Sequence, residues 1–171
     1  MAWCYHEGKG VAVDAWEAVR LFRLSAEQGY AHGQYNLGVC YHEGKGIAID
    51  MREAVRLYRL SADQGYANAQ CNLGICFHKG KGVAVDEREA VRMYRLSADQ
   101  GNARAQYILG LCNQFGKGVS VDEMEAVRLY RLSADQGDAG ALFKLGWCYN
   151  NGKGVAVDER EAVKLYRLAA D

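Results

Sequence analysis

One interval governs this sequence. Gly8, Gly44, Gly80, Gly116 and Gly152 stand 36 residues apart, and Gly10, Gly46, Gly82, Gly118 and Gly154 keep the same step. So do Asp14, Asp50, Asp86, Asp122 and Asp158. The stretch 37–65, LGVCYHEGKGIAIDMREAVRLYRLSADQG, returns with small changes at 73–101, 109–137 and 145–171. A fixed period between about 20 and 50 residues marks an array of like units, each completed by burying its apolar face against a neighbour. Units are expected at 30–65, 66–101, 102–137 and 138–171, behind a partial unit at 1–29. Met1 stands in the column of Leu37, in mid-helix, so the chain is expected to begin inside a longer array.

Each unit reads as two helices. Asp14 and its repeats are N-cap residues, and Glu17, Glu53, Glu89, Glu125 and Glu161 stand three places on, the spacing of a capping box. From Asp50 the run Ala54, Leu57, Tyr58, Ser61, Ala62 makes an apolar stripe at helical spacing. Arg56 and Arg59 flank it, and Arg59 stands four before Asp63 as a surface pair. Gly29, Gly65, Gly101 and Gly137 suit the left-handed position that ends such a helix. Shorter helices are expected at 31–42, 67–78, 103–114 and 139–150, with Asn102 and Asp138 as caps where Tyr30 and Tyr66 cannot serve. Gly38, Gly74, Gly110 and Gly146 lie inside them; a helical glycine costs up to about 1 kcal/mol, so its recurrence points to a close helix approach.

Composition removes several functions. Charged residues balance at 21 of each sign, which argues against nucleic acid, since that partner requires a basic stripe. No apolar run approaches the roughly 18 residues of a membrane span, and no signal peptide is visible. No proline occurs, so no proline-rich linker is present.

The skeleton Ala67, Leu73, Gly74, Phe77, Gly80, Gly82, Asp86, Ala90, Tyr94, Ala98 and Gly101 resembles the Sel1-like repeat, a relative of the tetratricopeptide repeat, and the resemblance covers essentially the whole chain. It implies an all-α fold, a right-handed superhelical solenoid of paired helices, and a role as adaptor or scaffold for protein complexes. One branch of that family is secreted and rivets each helix pair with a disulfide. This chain departs from it: Cys4, Cys40, Cys76, Cys112 and Cys148 form one column, with Cys71 extra. Equivalent positions in stacked units lie about 10 Å apart, too far for an S–S bond. Six free thiols and a reducing, cytoplasmic compartment are expected.

Other motifs lose to simpler readings. Cys40 and His42 recur as Cys4 and His6 and as Cys76 and His78, then decay to Gln114 and Asn150. Metal binding needs three or four convergent ligands, and side chains two apart on a helix diverge. A small buried cysteine beside a surface histidine is expected. Catalytic Cys/His work needs a base and an orienting group. The glycine loops lack the GxxxxGK[ST] pattern of a phosphate loop. Lys9, Lys45, Lys81, Lys117 and Lys153 form a ridge beside acids such as Glu7 and Glu43. Neither cofactor nor metal is expected.

Comparing units within the chain separates fixed columns from varying ones. On the first helix of each unit the varying columns fall on one face: His32, Asn36, Val39, Glu43; Asn68, Asn72, Ile75, Lys79; Arg104, Ile108, Leu111, Phe115; Gly140, Lys144, Trp147, Asn151. In stacked pairs that helix lines the concave side, and the face turns apolar toward the last two sets. The expected site is therefore partner-binding, at Arg104, Ile108, Leu111, Phe115, Lys144 and Trp147, holding a protein or peptide segment. The alternative is an enzyme or enzyme-like small-molecule binder on the same scaffold. Self-association is also expected through Met1, Trp3 and Tyr5 at one end and Leu165, Tyr166 and Leu168 at the other.

Overall fold

The computed structural model describes residues 14–170. They form an all-α repeat solenoid of helix pairs, the fold class the period implies. The elements are α1 (Ala15–Glu27), α2 (Ala31–Glu43), α3 (Met51–Asp63), α4 (Ala67–Lys79), α5 (Glu87–Asp99), α6 (Ala103–Phe115), α7 (Glu123–Ala134), α8 (Ala139–Asn151) and α9 (Glu159–Ala170). The chain divides into two compact units, Met1–Val85 and Asp86–Asp171. In the first, α1 packs on α2, α2 on α3 and α3 on α4. In the second, α5 packs on α6, α6 on α7, α7 on α8 and α8 on α9.

The mid-helix glycines explain how the pairs close. A Cβ on Gly38 would lie 2.8 Å from a Tyr58 ring carbon, and one on Gly110 would lie 2.6 Å from Tyr130. Both rings are fully buried, so the missing methyl is the space the ring occupies. The stripe Ala54, Leu57, Tyr58, Ser61, Ala62 is buried throughout. Burying a large apolar side chain contributes about 1.5–3 kcal/mol, and each complete pair in the first unit supplies several.

The turn glycines behave as the sequence suggests. Gly65 has φ +84 and Gly137 φ +83, each just past a helix end. A loop glycine serves closeness instead: a Cβ on Gly118 would overlap the Glu87 carbonyl at the start of α5.

Several expectations need correction. The capping box is only half made. Asp122 Oδ1 accepts the Glu125 amide at 2.9 Å, but Glu125 turns to Arg128 in a two-point pair at 2.7 Å. The returning bond has no use, because the Asp122 amide already donates to the Asn113 carbonyl of the preceding helix. The first helix of a pair is not the shorter: α2 and α3 both have 13 residues. It runs on to the left-handed Gly44, whose N–H donates to the Cys40 carbonyl. Arg59 leaves Asp63 and places its guanidinium 5.5 Å from the Phe77 ring centroid. Leu165, expected open, is 6% exposed within the core of the second unit, whereas Leu168 is 50% exposed. Met1, Trp3 and Tyr5, and with them Cys4 and Lys9, lie outside the described residues.

Candidate functional site

The varying face of the second unit is built on α6 and α8. On α6 the core side is Ala105, Gln106, Leu109, Gly110, Cys112 and Asn113. On α8 it is Ala141, Leu142, Leu145, Gly146 and Cys148. These positions alternate with the candidate set at helical spacing, which turns Arg104 and Phe115 out to solvent and leaves Ile108, Leu111, Lys144 and Trp147 half-buried at the edge of the core. Asn102 caps α6 through the Ala105 amide at 2.9 Å, and Asp138 caps α8 through the Ala141 amide at 2.8 Å.

Three candidates meet. The Lys144 ammonium lies 5.3 Å from the Phe115 ring centroid and 5.9 Å from that of Trp147. A cation over an aromatic face gains about 0.5–1 kcal/mol at an exposed site, so the three side chains hold one another in place. Phe115 is 57% exposed. Leu111 and Trp147 are half-buried and pack against the core cluster of Tyr130, Leu145 and Cys148. They are floor as well as surface. Arg104 is exposed and Ile108 half-buried on α6. At 1.5 Å per residue, Arg104 lies roughly 16 Å along the helix from Phe115, so it is not part of the trio.

Two further aromatics belong to this face and escaped the sequence reading. Phe143 is 53% exposed, with its ring 5.4 Å from Tyr166. Tyr107 is half-buried, with its ring 6.1 Å from Tyr130, and would meet any side chain placed on Gly140. Their column reads Tyr35, Cys71, Tyr107, Phe143. Its changing identity was the available signal.

The same face of the first unit has another character. His32 Nε2 and the Tyr66 hydroxyl are hydrogen-bonded at 3.2 Å with rings 4.7 Å apart, and the Asn36 amide donates to the His32 carbonyl. Tyr35 lies 5.1 Å from Tyr66. The polar groups of His32, Asn36 and Tyr66 are engaged with one another here, beside the half-buried Val39 and Ile75.

His42 is not the surface residue expected beside a cysteine. It is half-buried, and its Nδ1 is hydrogen-bonded to the Tyr58 hydroxyl at 3.3 Å. In the second unit Tyr130 donates its hydroxyl to Gln114 at 2.8 Å. The change from histidine to glutamine is thus a change of partner for the buried phenol.

Cys40, Cys71, Cys76, Cys112 and Cys148 are buried free thiols. Burial pushes Cys76, Cys112 and Cys148 up to about 11. A thiol of that kind is a poor nucleophile. Among the described residues no three His, Cys, Asp or Glu side chains gather as metal ligands. The lysine ridge is partly neutralised: Lys45 pairs with Glu43 at 2.7 Å and Lys153 with Glu123 at 3.2 Å. Arginines line a cleft of about 350 Å³ among α1, α2 and α3, at Arg23, Tyr41 and Arg56, and one of about 390 Å³ along α5, at Arg88, Arg92 and Arg95.

The Sel1 repeat model matches residues 1–30, 31–66, 67–102, 103–138 and 139–171. A Sel1 repeat protein from Oxalobacter formigenes is 36% identical with a TM-score of 0.88, over 99% of this chain and 70% of that one. The c5321 protein, a protective antigen of uropathogenic Escherichia coli strains with an SLR fold, is 34% identical with a TM-score of 0.91. That match spans 99% of this chain and 36% of the antigen. Cysteine-rich protein B of Helicobacter pylori shares the fold at 21% identity and a TM-score of 0.60, over 75% of this chain and 92% of that one. Comparison with the curated proteins gives no match.

Proposed function

The chain belongs to the Sel1 repeat family, and from that premise we propose that it is a non-catalytic scaffold or adaptor that holds a protein or peptide segment on the α6–α8 face. Arg104, Ile108, Leu111, Phe115, Lys144 and Trp147 are the contact residues. One observation carries the reading: Phe115 is 57% exposed at a column where other units hold Glu43, Lys79 and Asn151. The repeat does not need an aromatic there. Aromatic and arginine side chains are the types most often found as interface hot spots, where truncation costs about 2 kcal/mol or more. A compartment that keeps thiols reduced, the cytoplasm, is part of the proposal and is supported by the five described free cysteines. Among the described residues no helix is long and apolar enough to cross a membrane.

Capture experiments with Phe115→Glu test it. The variant should keep its helicity and melting temperature while a captured partner falls tenfold or more, about 1.4 kcal/mol. Unchanged capture would move the site elsewhere, with the lysine ridge next. Unfolding would show Phe115 to be core.

A further inference from the structure

Charge is distributed unevenly between the two kinds of helix in the second unit. The helices α5, α7 and α9 carry acids and bases together, and many are paired: Arg92 with Glu89, Arg128 with Glu125, Lys164 with Glu161. The helices α6 and α8 carry one charged residue each, Arg104 and Lys144, and both are cations. The acids nearest in sequence are Asp99, at the end of α5 before Arg104, and Asp138, whose Oδ1 accepts the Ala141 amide at the start of α8. The α6–α8 face thus presents two positive charges among apolar and aromatic side chains, with no carboxylate of those helices to answer them.

From this we infer that the segment held on the face is acidic and apolar together: carboxylates alternating with bulky apolar side chains. The inference rests on the binding face proposed above and names its occupant. The geometry sets out the chemistry. A carboxylate reaching the Lys144 ammonium comes to a cation already bordered by the rings of Phe115 and Trp147. An apolar side chain next to that carboxylate covers the rings and excludes water, which strengthens the ion pair it flanks. A basic segment would put like charges together, which serves as discrimination. Arg104, about three turns from Phe115 along α6, gives a second anchor for an acid further along the same segment.

The test is selection of random twelve-residue peptides displayed on phage, on the intact chain, with removal of those that also bind Phe115→Glu. The survivors should be rich in Asp or Glu beside Leu, Ile, Phe or Trp. A synthetic peptide from that pool should lose tenfold or more in affinity against Lys144→Met, recover with Lys144→Arg, and weaken as salt rises. Survivors without acids, or an acidic peptide indifferent to Lys144→Met, overturn the inference while leaving the face itself in place. If no peptide distinguishes the intact chain from Phe115→Glu, the proposed face falls as well. Sedimentation of the chain alone supplies the remaining outcome: a dimer that Phe115→Glu dissociates means that a second copy covers the face, which also overturns the acidic segment.

Discussion

A glycine and a tyrosine form the basic contact of the α2–α3, α6–α7 and α8–α9 pairs, and that contact sets how much error a residue can carry. Gly110→Ala should gain up to about 1 kcal/mol of helix propensity. It should lose more, because a Cβ 2.6 Å from Tyr130 meets a ring with no room to retreat. Overpacking of this kind costs about 1–3 kcal/mol, so a net loss of about 1 kcal/mol is expected as a lower urea midpoint. A higher midpoint would show that the ring can move. Tyr130→Phe strips the hydroxyl that Gln114 accepts and should cost about 1 kcal/mol. The glycine was legible in the sequence because a penalty repeated in every unit demands a reason. The partner of the phenol was not. His42 and Gln114 share no chemistry except a polar atom within reach, and only the structure supplies the phenol that each one meets.

At the scale of the helix, the caps were readable and their wiring was not. Aspartate before an amphipathic run is a local signal, and Asp50, Asp86 and Asp122 each accept an amide from the first turn. Whether glutamate returns the bond depends on who already holds the aspartate amide, and that is a carbonyl from another helix. The two halves should therefore differ in value. Asp122→Ala should cost about 1 kcal/mol through the lost cap. Glu125→Ala breaks a surface pair with Arg128, a kind worth about 0–1 kcal/mol. Thermal melting of both should rank them in that order, and equal losses would restore the reciprocal box. The face proposed for binding divides in the same way. Its α6 and α8 columns were visible from their variation. The contact of Lys144 with two rings depends on how neighbouring helices align, which periodicity does not report.

At the scale of the whole chain, the 36-residue period settled the fold class, and the polar interior is what it left out. Ser61 donates to the Ala31 carbonyl and Ser133 to that of Ala103, each at 2.8 Å. Gln64 donates to Gln34 and Gln136 to Gln106. These bonds join residues 30 apart, within a repeat, and a hydrophobic pattern is silent about them. Recurring glutamine at 34, 70 and 106 was the clue, since Gln34, Gln70 and Gln106 are all buried. Repetition also multiplies small effects, which gives a test in alkaline solution. Cys76, Cys112 and Cys148 rise from 9.0 to about 11 because burial disfavours the thiolate. Below pH 9 folded and unfolded chains both hold these protons, and the contribution to stability is fully present. Between pH 9 and 11 the unfolded chain releases them and the folded chain does not, so stability falls as pH rises. The buried hydroxyls of Tyr58 and Tyr130, raised by the same cause, add to the fall above pH 10. The urea midpoint should therefore drop steeply across pH 9–11. Replacing all three cysteines by alanine should flatten that drop even as it lowers the midpoint at neutral pH. An equally steep drop in the triple variant would assign alkaline unfolding to the tyrosines alone. Thiol titration gives the companion measurement: the native protein should react slowly at pH 8, and the denatured, unreduced chain should yield six thiols.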